Sequence, residues 1–304
     1  MIPREKALKL IAIYLHVCKL YDQELKYLSL RYTNNNVPEF TDQEIMAIYL
    51  FAVQQEQRSS VQQIYDFASH YLHSWFPALP SYQAFNNRLN RLSEAFKAIA
   101  AHSLENWMPD GCNTGISLLD SFPIITCSGK RKAKVACEIT DKGYCSTKSL
   151  YYYGLKVHML AFSTPAKMPF PEKIVITPAS ENDLNVFKQE WGNIPNRTFF
   201  GDKIYIDSKF FEELAHSCNS FMLTPVKGVK GQPEVIKQQN KAADDLFSRA
   251  VSTVRQPIES LFNWLIAKTD IQRASKVRST KGLLVHVFGK IAAAFIYLIS
   301  MPLS

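Results

Sequence analysis

The sequence predicts an α/β protein, in which a mixed sheet flanked by helices follows an all-α N-terminal part. Apolar residues recur at helical spacing through the first third of the chain. After Pro109-Asp-Gly-Cys112, short apolar runs suited to strands alternate with amphipathic stretches suited to helices. Because such alternation builds a sheet with helices packed on its faces, we expect a domain boundary there, with domains at 1–110 and 111–304.

Helix start signals mark the N-terminal third. Thr41-Asp-Gln-Glu44 has the pattern of a capping box. Helices are expected over residues 4–31, 42–57, 60–75 and 82–107. In the last of these helices, Asn87, Asn90 and Arg91 share a face. That face suits a helix-turn-helix variant that reads DNA bases, and an ordinary solvated helix face is the alternative.

The second part of the chain carries the strand signals. Strands are expected at residues 116–119, 151–162, 173–177, 198–201 and 221–224. Helices are expected at 182–190, 208–217, 242–268 and from about 280 onward, with a loop at 226–240. The first and fourth strands run out at acidic residues, Asp120 and Asp202.

The net charge of +8 and the isoelectric point of about 9.0 indicate a polyanionic partner, although an inert basic surface is the alternative. The charge is uneven. Residues 1–110 carry ten Lys/Arg and eleven Asp/Glu, a balance of −1, whereas the rest carries twenty-five and sixteen, a balance of +9. An electrostatic grip on nucleic acid is therefore expected mainly in the second part.

Cysteine spacing and hydropathy predict the cellular location of the protein and whether it spans a membrane. The six cysteines form no C-x-x-C pair, so reduced thiols in a cytoplasmic protein are expected. The apolar segment from Gly282 to Leu303 is interrupted by His286 and Lys290, which favours a buried helix over a membrane span. No membrane partner is expected.

Three acids stand out as candidate catalytic residues and metal ligands. Asp120 and Asp202 each follow a buried strand, and strand ends in α/β sheets are where ligand sites form. Glu259 lies on a predicted helix that can pack over the same sheet. Clustered carboxylates repel one another, and Mg²⁺ or Mn²⁺ offsets that repulsion. Two such ions support in-line attack on a phosphodiester, so two are expected here.

Each acid also has a purely structural alternative. Asp120 suits a cap for the following turn, Asp202 suits a pair with Lys203, and Glu259 suits a pair with Arg255. Two rival carboxylates lie nearby, Asp183 and Asp207. Of these, Asp183 is expected to cap the helix that follows it.

Five segments together resemble the DDE transposases of bacterial insertion sequences, most closely the nine-eighty-two family of those elements. The resemblance implies a ribonuclease H-like fold, cleavage at element ends, transfer of the freed 3′-hydroxyl into target DNA, and a homodimer on double-stranded DNA. The segments are Leu118-Leu-Asp-Ser-Phe-Pro-Ile124, Lys142-Gly-Tyr-Cys-Ser146, Tyr152-Tyr-Gly-Leu-Lys-Val-His158, Phe200-Gly-Asp-Lys203 and Arg255-Gln-Pro-Ile-Glu-Ser-Leu-Phe262.

By position, the resemblance makes Asp120, Asp202 and Glu259 the metal-binding acids, and it gives Arg255 a contact to DNA phosphate. The sequence departs from the family pattern in three places. Pro257 interrupts the helix between the arginine and the glutamate, so the helix either starts or kinks there. Ile204 replaces an expected glycine. A basic residue expected after the glutamate falls on Ile266, with Lys268 the nearest substitute.

Basic residues frame these acids and are expected to contact DNA phosphates, with solvated surface clusters as the alternative. His158 is expected to be a packed strand histidine and not a ligand. The predicted DNA-contacting residues are Lys130, Arg131, Lys132, Lys134, Lys156, Lys203, Arg255, Lys268, Arg273, Lys276 and Arg278.

Three functions fit these features: a transposase that cuts and joins DNA, an element-derived regulator that binds DNA without cutting it, and a nuclease or resolvase on a related fold. The intact acidic triad favours an active transposase. Joined products, binding without nicks, and nicks without joining distinguish the three.

Overall fold

A computed structural model describes residues 2–29, 38–130, 133–228 and 233–300. The chain forms two compact units. The first, here called the helical unit, comprises residues 1–107, 133–138 and 265–304. The second, the sheet unit, comprises residues 108–132 and 139–264. Each unit is made of separate segments of the chain, and residues 265–304 belong to the same unit as residues 1–107. The domain boundary near residue 110 stays a prediction.

The N-terminal helices begin at the predicted start signals. Thr41 accepts a hydrogen bond from the Glu44 amide at 3.2 Å, and the Glu44 side chain accepts one from the Thr41 amide at 2.5 Å, which completes the predicted capping box. Ser60 and Gln63 form a second box. The helices are α1 (Arg4–Leu20), continued by a π-helical turn (Tyr21–Leu25) into α2 (Lys26–Leu28), then α3 (Asp42–Glu56), α4 (Val61–Tyr71), α5 (Tyr82–Leu89) and α6 (Ser93–Glu105).

The single helix expected over residues 82–107 is two helices. The chain turns between Leu89 and Ser93 through short i to i+3 hydrogen bonds, including that from the Leu92 amide to the Leu89 carbonyl. Leu89 and Leu92 are both buried, so core packing holds this turn without a glycine or proline. Asn87 and Arg91 consequently do not share one helix face.

The last helix, α11 (Thr280–Ser300), completes the core of the helical unit against α3 and α6. A side chain at Gly289 would meet the Tyr49 ring at 2.5 Å, so only glycine permits this close approach. Residues 280–299 are apolar and long enough to cross a membrane, yet 72% of that segment is buried inside the protein, as in a core helix.

Helix α11 places two ionisable side chains, Lys290 and His286, in this core. Lys290 donates to the Asp270 carbonyl at 3.1 Å, and burial lowers its pKa to about 7. The His286 ring lies 2.8 Å from the Ile271 carbonyl oxygen. Burial, with the nearby charge of Lys290, lowers the pKa of His286 to about 3. Both groups are therefore held toward their neutral forms.

The described residues of the sheet unit form the strands β1 (Asn113–Ser128), β2 (Asp141–Cys145), β3 (Leu150–Ser163), β4 (Phe170–Pro178), β5 (Thr198–Phe200) and β6 (Phe221–Leu223). They make one six-stranded mixed sheet with the order β2-β3-β1-β5-β6, and β4 also pairs with β3. The pairs β1–β5 and β5–β6 are parallel, and the other described pairs are antiparallel. The helices are α7 (Asp183–Val186), continued by a π-helical turn (Phe187–Trp191), then α8 (Ser208–Cys218), α9 (Glu234–Arg255) and α10 (Pro257–Thr269). This mixed sheet with its flanking helices fits the ribonuclease H-like fold that the resemblance implies.

Three elements differ from the sequence prediction. Strand β1 continues eight residues beyond Asp120, because β3 pairs with it antiparallel as far as Ser128. Strand β2 was not predicted. Helix α9 begins at Glu234, within the segment expected to be a loop, and it ends at Arg255 because Pro257 starts α10. At the first position of a helix, proline's missing amide has no intrahelical partner to lose.

The two faces of the sheet are covered differently. On one face, Leu119 and Leu160 join an aromatic core centred on Phe187 and Phe199, whose rings lie 4.9 Å apart. On the other face, Phe122 meets Phe262 of α10 edge-on at 4.8 Å. This second contact fixes the start of α10, and with it Glu259, over the sheet.

Candidate active site

Asp120 and Asp202 are placed side by side by strand register. The parallel pairing of β1 with β5 ends at Leu118 opposite Phe200. Each aspartate lies two residues beyond that last pair, so both stand where the parallel strands separate. Asp202 accepts a hydrogen bond from the Ile204 amide at 2.8 Å, and Asp120 accepts one from the Ser121 amide at 2.8 Å. This turn contact, and not the ion pair with Lys203 that was the structural alternative, is what Asp202 makes in the described part of the chain.

Arg255 joins Asp120 to Glu259. Its Nη1 lies 2.5 Å from Oδ2 of Asp120, and its Nη2 lies 2.7 Å from Oε1 of Glu259. One guanidinium therefore spans carboxylates that are 139 residues apart in the chain, as the residue numbers show. The Glu259 side chain is 51% exposed and that of Asp120 is 25% exposed, so the site opens to solvent on the glutamate side.

The environment of Asp120 disfavours its charged form. Loss of hydration raises the pKa of Asp120 to about 6, and the negative charges of Asp202 and Asp183 add to the rise. Arg255 and the Ser121 amide oppose it. Burial is the largest of these effects, and it favours the neutral form of the Asp120 carboxyl group.

Asp183 is a fourth acid beside the predicted three. It does not cap its helix, because the neighbouring Asn182 accepts the hydrogen bond from the Leu184 amide at 2.9 Å. Asp183 Oδ1 instead lies 3.0 Å from Nδ1 of His158 and 3.4 Å from Nζ of Lys156. Burial would raise the pKa of Asp183, but the His158 hydrogen bond and the Lys156 charge hold it below its ordinary value.

Tyr205 lies among the acids and was not predicted. Its ring is buried, and a side chain at Gly201 would meet it at 2.7 Å. Burial raises the pKa of Tyr205 well above its usual value, and the charges of Asp183, Asp120 and Asp202 raise it further. The phenol therefore remains protonated beside three carboxylates. Glycine directly before Asp202 was the only sequence signal for this close packing.

The family comparison matches this part of the chain. Residues 110–279 fit the family model described as the transposase DDE domain, which is more than half of the 304 residues. The chain is a DDE transposase. The matched residues contain Asp120, Asp202 and Glu259. No curated protein and no solved structure matches significantly.

Membership implies an enzyme of the polynucleotidyl-transferase type that acts on DNA, and DDE transposases generally use divalent metals. Within the described ranges, no three acidic, histidine or cysteine side chains converge closely enough to complete a metal site as they stand. The donors of this transposase nevertheless fit Mg²⁺ or Mn²⁺. Asp120, Asp202 and Glu259 offer only carboxylate oxygens, which hard cations prefer, and Arg255 already places a positive charge between two of them.

The predicted DNA-contacting residues of the transposase fall into three groups. Lys130, Lys134, Lys203, Arg273, Lys276 and Arg278 are exposed. Arg131 and Lys132 lie outside the described residues. Lys156, Arg255 and Lys268 have partners within the protein.

The DNA contacts proposed for these three residues stay predictions. Lys156 is largely buried and donates to the Glu181 carbonyl at 2.7 Å. Arg255 binds two of the acids. The Lys268 ammonium lies over the Tyr297 ring, 4.8 Å from its centroid. His158, expected to be a packed histidine, is buried and also contacts Thr177 at 2.8 Å.

Proposed function

We propose that this transposase cleaves DNA at the ends of an insertion sequence, one of the nine-eighty-two family, and transfers the freed 3′-hydroxyl into target DNA. The observation that carries the proposal is the meeting of Asp120, Arg255 and Glu259, with Asp202 beside them. Such a cluster of hard oxygen donors at the end of a parallel strand pair suits phosphoryl transfer.

Asp120, Asp202 and Glu259 would hold two divalent cations. Mg²⁺ or Mn²⁺, when bound, supplies positive charge beside the attacked phosphorus and its leaving oxygen. The sheet fixes Asp120 through the pairing of this residue with Met159 of β3, whereas Glu259 approaches from a helix and remains half exposed. We infer that DNA enters from this exposed side.

The surrounding residues would keep the acids in place. The Lys156 ammonium offsets the charge of Asp183 and His158 contacts the same carboxylate, so that Asp183 adds less repulsion to the cluster. Tyr205 fills the volume beneath Gly201 and excludes water there. Arg255 keeps Asp120 and Glu259 from separating before the cations bind.

Double-stranded DNA is the proposed partner, with the exposed basic residues contacting its phosphates. Two element ends have to be held together for transfer, so we expect a homodimer on DNA. The proposed location is the cytoplasm, at the bacterial nucleoid when the protein is bound to DNA.

The decisive experiment incubates the full chain with labelled DNA that carries the terminal sequences of its element. Mg²⁺, Mn²⁺ and a chelator are compared, and nicked and joined products are scored. Joined products that require metal support the proposal. Binding without nicks under every condition would instead identify a DNA-binding regulator, and nicks without joining would identify a nuclease.

Charge-removing variants test the residues. Loss of a supporting residue around a metal site typically costs 10–100-fold, so loss of a ligand should cost at least about 100-fold. We expect that loss of cleavage in Asp120→Asn, Asp202→Asn and Glu259→Gln, with DNA binding retained. Asp245→Asn on the exposed part of α9 makes the same chemical change and should cleave normally. Normal cleavage by Asp120→Asn would refute the assignment.

A further inference from the structure

Two large aromatic side chains lie exposed at the free edge of the sheet. Tyr144 on β2 is 54% exposed, and Tyr151 on β3 is 59% exposed. The two residues are direct cross-strand partners, and their ring centroids lie 4.9 Å apart. Exposed tyrosines in contact with each other offer an aromatic surface with hydroxyl groups to a ligand.

The pair is held on a rigid support. Gly143, between Lys142 and Tyr144, is buried against the other side, where a side chain would meet the Ala179 carbonyl at 2.4 Å. The Gly129 amide donates to the Tyr151 carbonyl at 2.7 Å. β2 and the end of β1 therefore fix the backbone beneath both rings.

Positive charge lies on the same side as the rings. Lys142 is two residues from Tyr144 and so shares its face, and its ammonium lies 5.0 Å from the Tyr151 ring centroid. Lys130, which is exposed, immediately follows Gly129 beside Tyr151. Asp141, which precedes Lys142 in the chain, alternates to the opposite face and accepts a hydrogen bond from Ser180 at 2.8 Å.

We propose that Tyr144 and Tyr151 form a stacking platform for an unpaired DNA base, with Lys142 and Lys130 contacting the adjoining phosphates. Aromatic rings interleaved with lysines are the combination that binds single-stranded nucleic acid. Tyr151 and Met159 are eight residues apart in β3, an even number, so their side chains lie on the same face of the sheet. Met159 pairs with Asp120, so the platform and Asp120 share that face.

This inference rests on the proposed function, because cleavage and transfer create ends at which bases lose their partners. The platform would hold such a base after the strand is cut. The platform would also give a function to Lys142-Gly-Tyr-Cys-Ser146, a segment that the proposed catalysis does not use.

The test uses the full chain in chelator, so that no DNA is cut. Fluorescence anisotropy compares a blunt duplex with the same duplex carrying a short single-stranded overhang, and a 2-aminopurine in the overhang reports stacking. The wild type should bind the overhang duplex more tightly and quench the 2-aminopurine. Equal affinity for both duplexes, without quenching, would overturn the proposal.

Variants separate stacking from charge. Stacking on an aromatic side chain contributes ~1–3 kcal/mol per base, so Tyr144→Ala or Tyr151→Ala should weaken overhang binding about 5- to 150-fold. The salt dependence should not change, whereas Lys142→Ala should flatten it. Tyr144→Phe and Tyr151→Phe should bind as the wild type does. Wild-type overhang affinity in the double alanine variant would refute the platform.

The chain offers a matched control. Tyr27 is 63% exposed, and the Lys26 ammonium lies 5.0 Å from its ring centroid, the same distance as between Lys142 and Tyr151. Tyr27→Ala should leave overhang binding unchanged. A parallel cleavage assay on element ends distinguishes the two proposals. Overhang preference without metal-dependent cleavage contradicts only the proposed function, and cleavage without that preference contradicts only the platform.

Discussion

Nη1 of Arg255 lies 2.5 Å from Oδ2 of Asp120, and Nη2 of the same guanidinium lies 2.7 Å from Oε1 of Glu259. The guanidinium offsets the repulsion between the two acids. Under the proposed function it would also compete with a divalent ion for these carboxylate oxygens.

Arg255→Ala should bind Mn²⁺ more tightly than the wild type. A hydrogen bond to a charged group contributes ~1.5–3 kcal/mol, so the metal dissociation constant should fall by roughly 10- to 150-fold. Titration calorimetry measures it directly. Arg249→Ala, an exposed arginine on the same helix, is the control and should show no change. Unchanged or weaker Mn²⁺ binding by Arg255→Ala would contradict the competition.

Phe262→Ala should destabilise the sheet unit strongly. Phe262 and Phe122 are 6% and 4% exposed, and deletion of a buried phenylalanine ring costs ~3–5 kcal/mol. Denaturant unfolding followed by circular dichroism measures the loss. Phe247→Ala on α9 removes a ring that is 44% exposed and should change stability by no more than about 0.5 kcal/mol. Similar losses in both variants would show that α10 is not anchored through Phe262.

The exposed cluster of Arg273, Lys276 and Arg278 should contribute to DNA affinity in a salt-dependent manner. Each phosphate contact adds about 0.9 to the slope of log K against log salt. Replacing all three with alanine should therefore lower the slope by up to about 2.7. The control is Lys209→Ala, an exposed lysine on α8 outside the predicted set. An unchanged slope in the triple variant would remove this cluster from the DNA-binding surface.

Lys290 should make stability depend on pH. Its pKa is about 7 in the folded protein and near 10.5 when unfolded, so between these values the unfolded chain binds more protons. Stability contributed by this group should rise from pH 7 to 10.5, by at most about 1.4 kcal/mol per pH unit, and should be lost as pH falls through 7. Lys290→Met should flatten that slope relative to wild type in thermal unfolding. An identical pH profile in the variant would show that Lys290 stays charged in the core.

Local signals in the sequence predicted much of the fold. The capping box at Thr41, the long strand β3 and the strand before Asp202 follow from short-range patterns. The length of β1 does not, because residues beyond Asp120 become strand only through antiparallel pairing with β3. Likewise, the apolar residues of α11 predicted burial but not that its partners would be α3 and α6.

The candidate site was predictable as a set of acids but not as an arrangement. Asp120, Asp202 and Glu259 stood out by position and resemblance. The place of Asp183 depends on His158, which belongs to another strand, and on Asn182 taking the cap instead. The bridging position of Arg255 depends on β1 and α9 meeting in three dimensions, and spacing along the chain contains no such information.

The seam between α11 and the first helices has a consequence for biosynthesis. Tyr49 and Phe96 leave the ribosome long before Gly289, the residue that lets α11 pack against Tyr49. While the sheet unit is being translated, the apolar faces of α3 and α6 that α11 will cover therefore remain exposed. A nascent chain stalled before residue 280 should therefore bind chaperones. A premature stop codon there should destabilise the N-terminal helices as well as remove α11.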